Sequence, residues 1–144
     1  SLQLIALAYS PAAQIPSTES WEAHREVEAR IEAMSEAAQP LLSPGHPLYG
    51  WALRGRVFTH QMGLQDVNYR GGLPDLRPRL RRREWGAILL ETRTQIPGLE
   101  EHSFKAWRFR WQNPETLRTR TGFLVRPDSL WLPSTRTPRT TCTE

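Results

Sequence analysis

Trp21, His24, Val27, Ile31, Met34, Ala38 and Leu41 follow one another at intervals of three or four residues. That spacing places them on one stripe of an α-helix, with the intervening glutamates turned to water. Ser17 stands just ahead of Thr18-Glu19-Ser20 as an N-cap, with the Glu19 carboxylate placed for the positive end of the helix dipole. Glu26 and Arg30 add an i,i+4 ion pair, and Pro40, Pro44 and Pro47 mark the end of the helix.

The remaining apolar positions favour strands. Residues 2–9 form a short apolar run before Pro11, as a buried first strand would. Trp51, Leu53, Gly55 and Val57 alternate with Arg54 and Arg56, predicting a half-buried strand with a basic outer face. Trp85 to Thr94 reads as a strand centred on Ile88, Leu89 and Leu90, followed by a turn at Ile96-Pro97-Gly98. Phe104 to Gln112 and Leu117 to Val125 flank a turn at Asn113-Pro114, and Leu130 to Leu132 forms a last short strand. Residues 63–83 hold Gly63, Gly71, Gly72, Pro74 and Pro78 without periodicity and are expected to be a long loop. The predicted architecture is α+β: one long amphipathic helix packed on one face of a mostly antiparallel sheet of four to five strands. It forms a single domain over residues 1–132, with a flexible Thr/Pro/Arg-rich tail at 133–144.

Composition narrows the classes. With 144 residues, 38% hydrophobic and 24% charged, the chain can close a core without a metal or disulfide staple. It is not a disordered, collagen-like or membrane-spanning composition. A single cysteine, Cys142, leaves no intrachain disulfide and no cysteine-cluster zinc site. The apolar opening, Leu2 to Tyr9, lacks a basic leader and is too short to span a bilayer, so a cytoplasmic setting without a membrane partner is expected.

Charge is unevenly spread. Residues 1–50 carry two arginines against six glutamates, a net of −4, while residues 51–144 carry 17 bases against 9 acids, a net of +8. Such asymmetry points to a basic surface that meets phosphate or an acidic partner. Lys105 is the only lysine; the other 18 bases are arginine, whose planar fork suits bidentate phosphate contacts and stacking on bases. Residues 68–85 alone contain Arg70, Arg77, Arg79, Arg81, Arg82 and Arg83 against Asp75 and Glu84. As a mobile arm they would neutralise phosphates. In the segment 104–111, period-two alternation puts Trp107, Phe109 and Trp111 on one face with Lys105, and Arg108 and Arg110 on the other with Phe104 and Ala106. The aromatic face is expected to be buried under the helix. A basic sheet face of Arg54, Arg56, Arg108, Arg110, Arg118 and Arg120 would then look outward.

Motifs for chemistry are sparse. No histidine pair or acidic cluster has metal-ligand spacing, no glycine pattern cradles a phosphate, and no nucleophile elbow is present, so neither metal nor cofactor is expected. His24 reads as a packed helix residue and His46 as a loop residue. Glu91, Arg93, His60 and His102 could serve metal-independent RNA cleavage if the fold gathered them. The leading expectation is a small non-catalytic protein binding single-stranded nucleic acid or RNA through the arginine loop, Lys105 and the basic sheet face. The alternatives are a protein-interaction module docking on an acidic partner, such as an inhibitor or a subunit of a larger complex, and a small ribonuclease.

Overall fold

The computed structural model describes residues 15–56, 76–91, 94–113, 116–117 and 126–134. The expected strand at 2–9, nearly all of that at 117–125, and most of the tail at 133–144 lie outside them.

Helix α1 spans Thr18–Met34. The Ser17 side chain caps it, its Oγ accepting from the Ser20 N–H at 3.2 Å. Ala23, Val27 and Ile31 form its buried face. The helix is shorter than the stripe predicted. The Ser35 N–H and hydroxyl both donate to the Ile31 carbonyl, at 3.0 and 2.6 Å, and close the last turn. Ala38 then falls in a turn, and Leu41–Leu42 is a strand, β1.

The segment 51–56 departs from the expected strand. Trp51 to Arg54 belongs to a helix, α2 (Pro47–Arg54), rather than to a strand. Pro47 opens the helix, where its missing N–H costs nothing, and Gly55 closes it with its N–H on the Trp51 carbonyl at 2.8 Å. Residues 76–83, expected to be loop, contain α3 (Leu76–Arg81). Leu80 is buried and Leu76, one turn earlier, packs beside it. Pro78 sits within the first turn, where no intrahelical N–H is required. Strand β2 (Ala87–Glu91), a short helix α4 (Leu99–His102), β3 (Ser103–Arg108) and β4 (Pro127–Pro133) complete the described elements.

The four strands make one mixed sheet in the order β1-β2-β4-β3. β1 runs parallel to β2, and β4 pairs antiparallel with both β2 and β3. The fold is α+β. Its sheet is covered on both faces, where the sequence suggested a helix on only one. Leu41, Ala87, Leu89 and Leu130 meet Val27, Ile31 and Tyr49 from α1 and α2. Leu42, Ile88, Leu90 and Trp131 turn the other way, toward Leu80, Trp85, Ile96 and Leu99 around α3 and α4. All five residues of β2 are buried, which is why Ala87 to Leu90 reads as a continuous apolar run before Glu91. Each fully buried aliphatic side chain contributes roughly 1.5–3 kcal/mol.

Candidate nucleic-acid interface

The basic surface grows from the end of α3. Arg83 adopts a left-handed backbone, φ 52°. Its N–H donates to the Leu80 carbonyl at 3.0 Å, and the Glu84 N–H donates to the Arg79 carbonyl at 3.2 Å. These are the two bonds of a Schellman cap, here built on an arginine instead of the usual glycine. The cap fixes Arg81, Arg82 and Arg83, all exposed, in one ordered turn. Glu84 braces that turn from within. Arg79 Nε donates to Glu84 Oε2, and Arg82 donates to Glu84 Oε1 through Nε and Nη2 at 2.9 and 2.6 Å. The Arg79 hydrogen bond, followed by that of Arg82, holds the Glu84 carboxyl below its ordinary value. Arg79 also stands over the buried Trp85 ring, 4.8 Å from its centroid. Arg77 lays its stem across Gly98: a Cβ there would come within 2.8 Å of Arg77 Cγ, and Gly98 itself has φ 77°. Side chain and backbone both select glycine at that position.

Strand β3 supplies the second group of cations, through a bulge. Phe104 lies opposite Leu132 and Lys105 opposite Trp131, but the next cross-strand pairs are Trp107 with Leu130 and Arg108 with Ser129. The register shifts between Lys105 and Trp107. Partners across a strand pair share a face, so the extra residue breaks simple alternation. Trp107 and Phe104 face the α1/α2 side with Leu130 and Leu132, whereas Lys105 and Arg108 face the α3/α4 side with Trp131 and Ser129. The predicted placement of Lys105 with the tryptophans, and of Phe104 with Arg108, is thereby reversed. Beyond the strand, Phe109 is buried in the first core and Trp111 packs against it. Their rings stack at 5.4 Å with planes 3° apart. Arg110, between them, turns to the α3/α4 side and is exposed. Arg108 faces Asp128 at 3.8 Å from an exposed position, a loose pair worth little.

The remaining candidates fall elsewhere. Arg54 is half-buried on α2, donating to Ser35 Oγ at 2.8 Å and to the Leu53 carbonyl at 3.0 Å. Arg56 follows α2 and is exposed. Both lie in the layer opposite α3, so they do not extend a sheet face with Arg108 and Arg110. Arg70, Arg118 and Arg120 lie outside the described residues.

The set considered for RNA cleavage is not gathered. Ser103, next to His102, pairs with Pro133, whereas Glu91 pairs with Pro127. These are the two ends of the seven-residue β4, about 20 Å apart at strand rise. His60 and Arg93 lie outside the described residues.

Glu91, His24 and His46, which the sequence offered only as separate residues, belong to a polar cluster where the parallel strands end. Glu91 is only 3% exposed. Its Oε2 accepts from the Thr94 hydroxyl at 2.8 Å, while Oε1 closes no hydrogen bond. The carboxyl lies hard against Gly45, where any Cβ would collide with it. Burial raises the Glu91 carboxyl above its ordinary value, although the Thr94 hydroxyl and the nearby backbone N–H groups of Glu91 and Gly45 oppose this. Burial, with His24 nearby, lowers the His46 imidazole to about 4. His24 Nδ1 meets the Tyr49 hydroxyl at 2.9 Å and its Nε2 meets Glu28 at 3.2 Å. Burial, then the Glu28 charge, raises the Tyr49 phenol. This chain of groups ties α1 to α2. Its signal in the sequence was only the pairing of His24 and His46 with a tyrosine on the next element.

Among the described residues no group of three histidine, cysteine or acidic side chains is placed to hold a metal ion. Nor is any described helix long and apolar enough to cross a membrane. No known protein family, curated protein or solved structure matches this chain.

Proposed function

We propose that this protein binds single-stranded nucleic acid or RNA, without catalysis, on the α3/α4 side of its sheet. The observation that carries the reading is the β3 bulge, which turns Lys105 and Arg108 to the side that already holds Arg77, Arg81, Arg82 and Arg83. That side combines eight described cations, counting Arg79 and Arg110, with the carboxylates of Glu84, Glu100, Glu101 and Asp128. Residues 15–56, which build the opposite layer, hold six glutamates against four arginines. A field segregated in this way steers a polyanion to one side of the molecule. The six-residue α3 is too short to present a recognition helix to a duplex major groove, which favours flexible or single-stranded ligands.

Fluorescence-anisotropy titrations with single-stranded RNA, single-stranded DNA and duplex DNA, at about 50 and 200 mM salt, test this reading. The expected result is tighter binding of the single strands, weakening with salt by about 0.7 log units per log unit for each phosphate contacted. Absence of binding at low salt overturns it, and leaves an acidic protein surface as the ligand for the same cations.

A further inference from the structure

The apolar surface of the molecule is as one-sided as its charge. Five large hydrophobic residues are exposed among the described residues: Ile15, Trp21, Leu48, Trp51 and Phe104. Four belong to the α1/α2 layer, and the β3 bulge turns Phe104 to the same side. Helix α2 is the sharpest case. Its inner face is Tyr49, Gly50 and Leu53. Its outer face, which should be polar on a solvent-facing helix, is Leu48, Trp51 and Ala52, with Leu48 74% and Trp51 64% exposed. On the neighbouring α1, Trp21 is 53% exposed. It packs edge-on against His24, which in turn packs on Tyr49 of α2, so one run of rings joins the two helices.

We infer that this α1/α2 surface is a docking site for a basic amphipathic segment of a partner protein. Trp21, Leu48 and Trp51 would take its apolar side chains, and the carboxylates of Glu22 and Glu32 its cations. Charge complementarity selects that occupant. All the acids of this layer lie on α1 or just after it, and they leave residues 15–56 with a net charge of −2. Such a surface repels nucleic acid and disfavours an anionic bilayer, although tryptophan and leucine alone would suit a lipid interface. A symmetric second copy would bring together two surfaces of the same net negative charge. Partially exposed tryptophans are the residue type on which protein interfaces concentrate their binding energy.

The test uses the full chain and a synthetic 18-residue peptide of leucine and lysine patterned as an amphipathic helix. Binding is read by Trp fluorescence and calorimetry. The expected result is saturable one-to-one binding that falls at least tenfold in a Leu48→Ser/Trp51→Ser variant. Glu22→Gln/Glu32→Gln should weaken it several-fold and reduce its salt dependence. Thermal melts of both variants, together with their retained binding of RNA or of heparin as a polyanion probe, show that the fold is intact. Loss that tracks unfolding is separated by Leu48→Gln alone, which exchanges one outward side chain for another. Peptide binding unchanged in every folded variant overturns the inference. So does binding of vesicles of phosphatidylcholine with 30% phosphatidylserine that depends on Trp51 more strongly than peptide binding does. So does concentration-dependent dimerisation that the Leu48→Ser/Trp51→Ser variant abolishes.

Discussion

Lys105 stands over the ring of Trp131, its ammonium nitrogen 5.0 Å from the ring centroid. The two residues are paired across β3 and β4, and Trp131 belongs to the core that also contains Leu80 of α3. This pair connects an edge lysine to the hydrophobic layer beneath the arginine turn. Removing Ala106 would make the pairs Lys105–Trp131 and Trp107–Leu130 consecutive on both strands and leave each residue on its present side. Deletion of Ala106 should accordingly leave RNA binding close to that of the parent chain, whereas Lys105→Ala weakens it a few-fold at low salt, provided the deleted chain still melts cooperatively. A folded deletion that loses as much binding as Lys105→Ala contradicts the side assigned to Lys105.

Arg83 occupies a backbone conformation that costs an L-residue about 1 kcal/mol and glycine nothing. Arg83→Gly is expected to raise stability, or leave it unchanged once the greater freedom of the unfolded glycine is counted, while weakening RNA binding. Urea denaturation and anisotropy on the same sample check both halves. A variant destabilised by more than about 1 kcal/mol would contradict the Schellman geometry.

Gly45 lies in contact with the Glu91 carboxyl group. Gly45→Ala should destabilise the fold by about 1–3 kcal/mol, because the backbone on one side and a buried side chain on the other leave little room to yield. Glu91→Ala in the same chain should recover part of that loss. A double-mutant cycle in chemical denaturation measures the coupling, and strict additivity would remove the contact from the account.

His46 and Glu91 give stability opposite dependences on pH. The unfolded His46 protonates near 6.5, and the folded one only near 4. The unfolded state therefore binds more protons between these values, and stability falls as pH drops through that window, by at most about 3 kcal/mol. Glu91 is raised in the fold, so its unfolded carboxyl ionises first, and stability is lost as pH climbs above the ordinary carboxylate value. Glu91→Gln should thus gain on the parent chain as pH rises from 4 to 8, and His46→Gln should flatten the loss on acidification. Melting temperatures across that range test both; parallel curves for all three proteins would contradict the assignments.

Helix α1, strand β2 and the last strand were legible because each had one strong local signal. For α1 it was Ser17 ahead of a stripe containing Val27 and Ile31; for β2 it was the run Ile88-Leu89-Leu90. Helix α2 was not, although Pro47 and Gly55 punctuate it. Its outer residues Leu48 and Trp51 are as apolar as its inner ones, which erases the helical period and leaves an accidental alternation with Arg54 and Arg56. The stripe overran α1 for a related reason: Ala38 and Leu41 continue its spacing by chance, whereas Leu41 is buried in a strand. In the candidate interface, the cluster of arginines was visible from composition. Its ordering was not, since that depends on a left-handed arginine and on Glu84 folding back on Arg79 and Arg82. The side on which Lys105 lies could not be read from β3 at all, because a bulge is a property of two strands.

The proposed polyanion binding belongs to one side of the sheet. Its most direct test compares two double variants by the salt dependence of single-stranded RNA binding. Lys105→Ala/Arg108→Ala removes two cations from the α3/α4 side, and Arg54→Ala/Arg56→Ala removes two from the opposite layer. The first should lower affinity and reduce the slope of log affinity against log salt by up to about 1.4. The second should leave the slope unchanged, whatever Arg54→Ala costs in stability. Equal loss of slope in both variants, or a larger loss in the second, would contradict a one-sided interface.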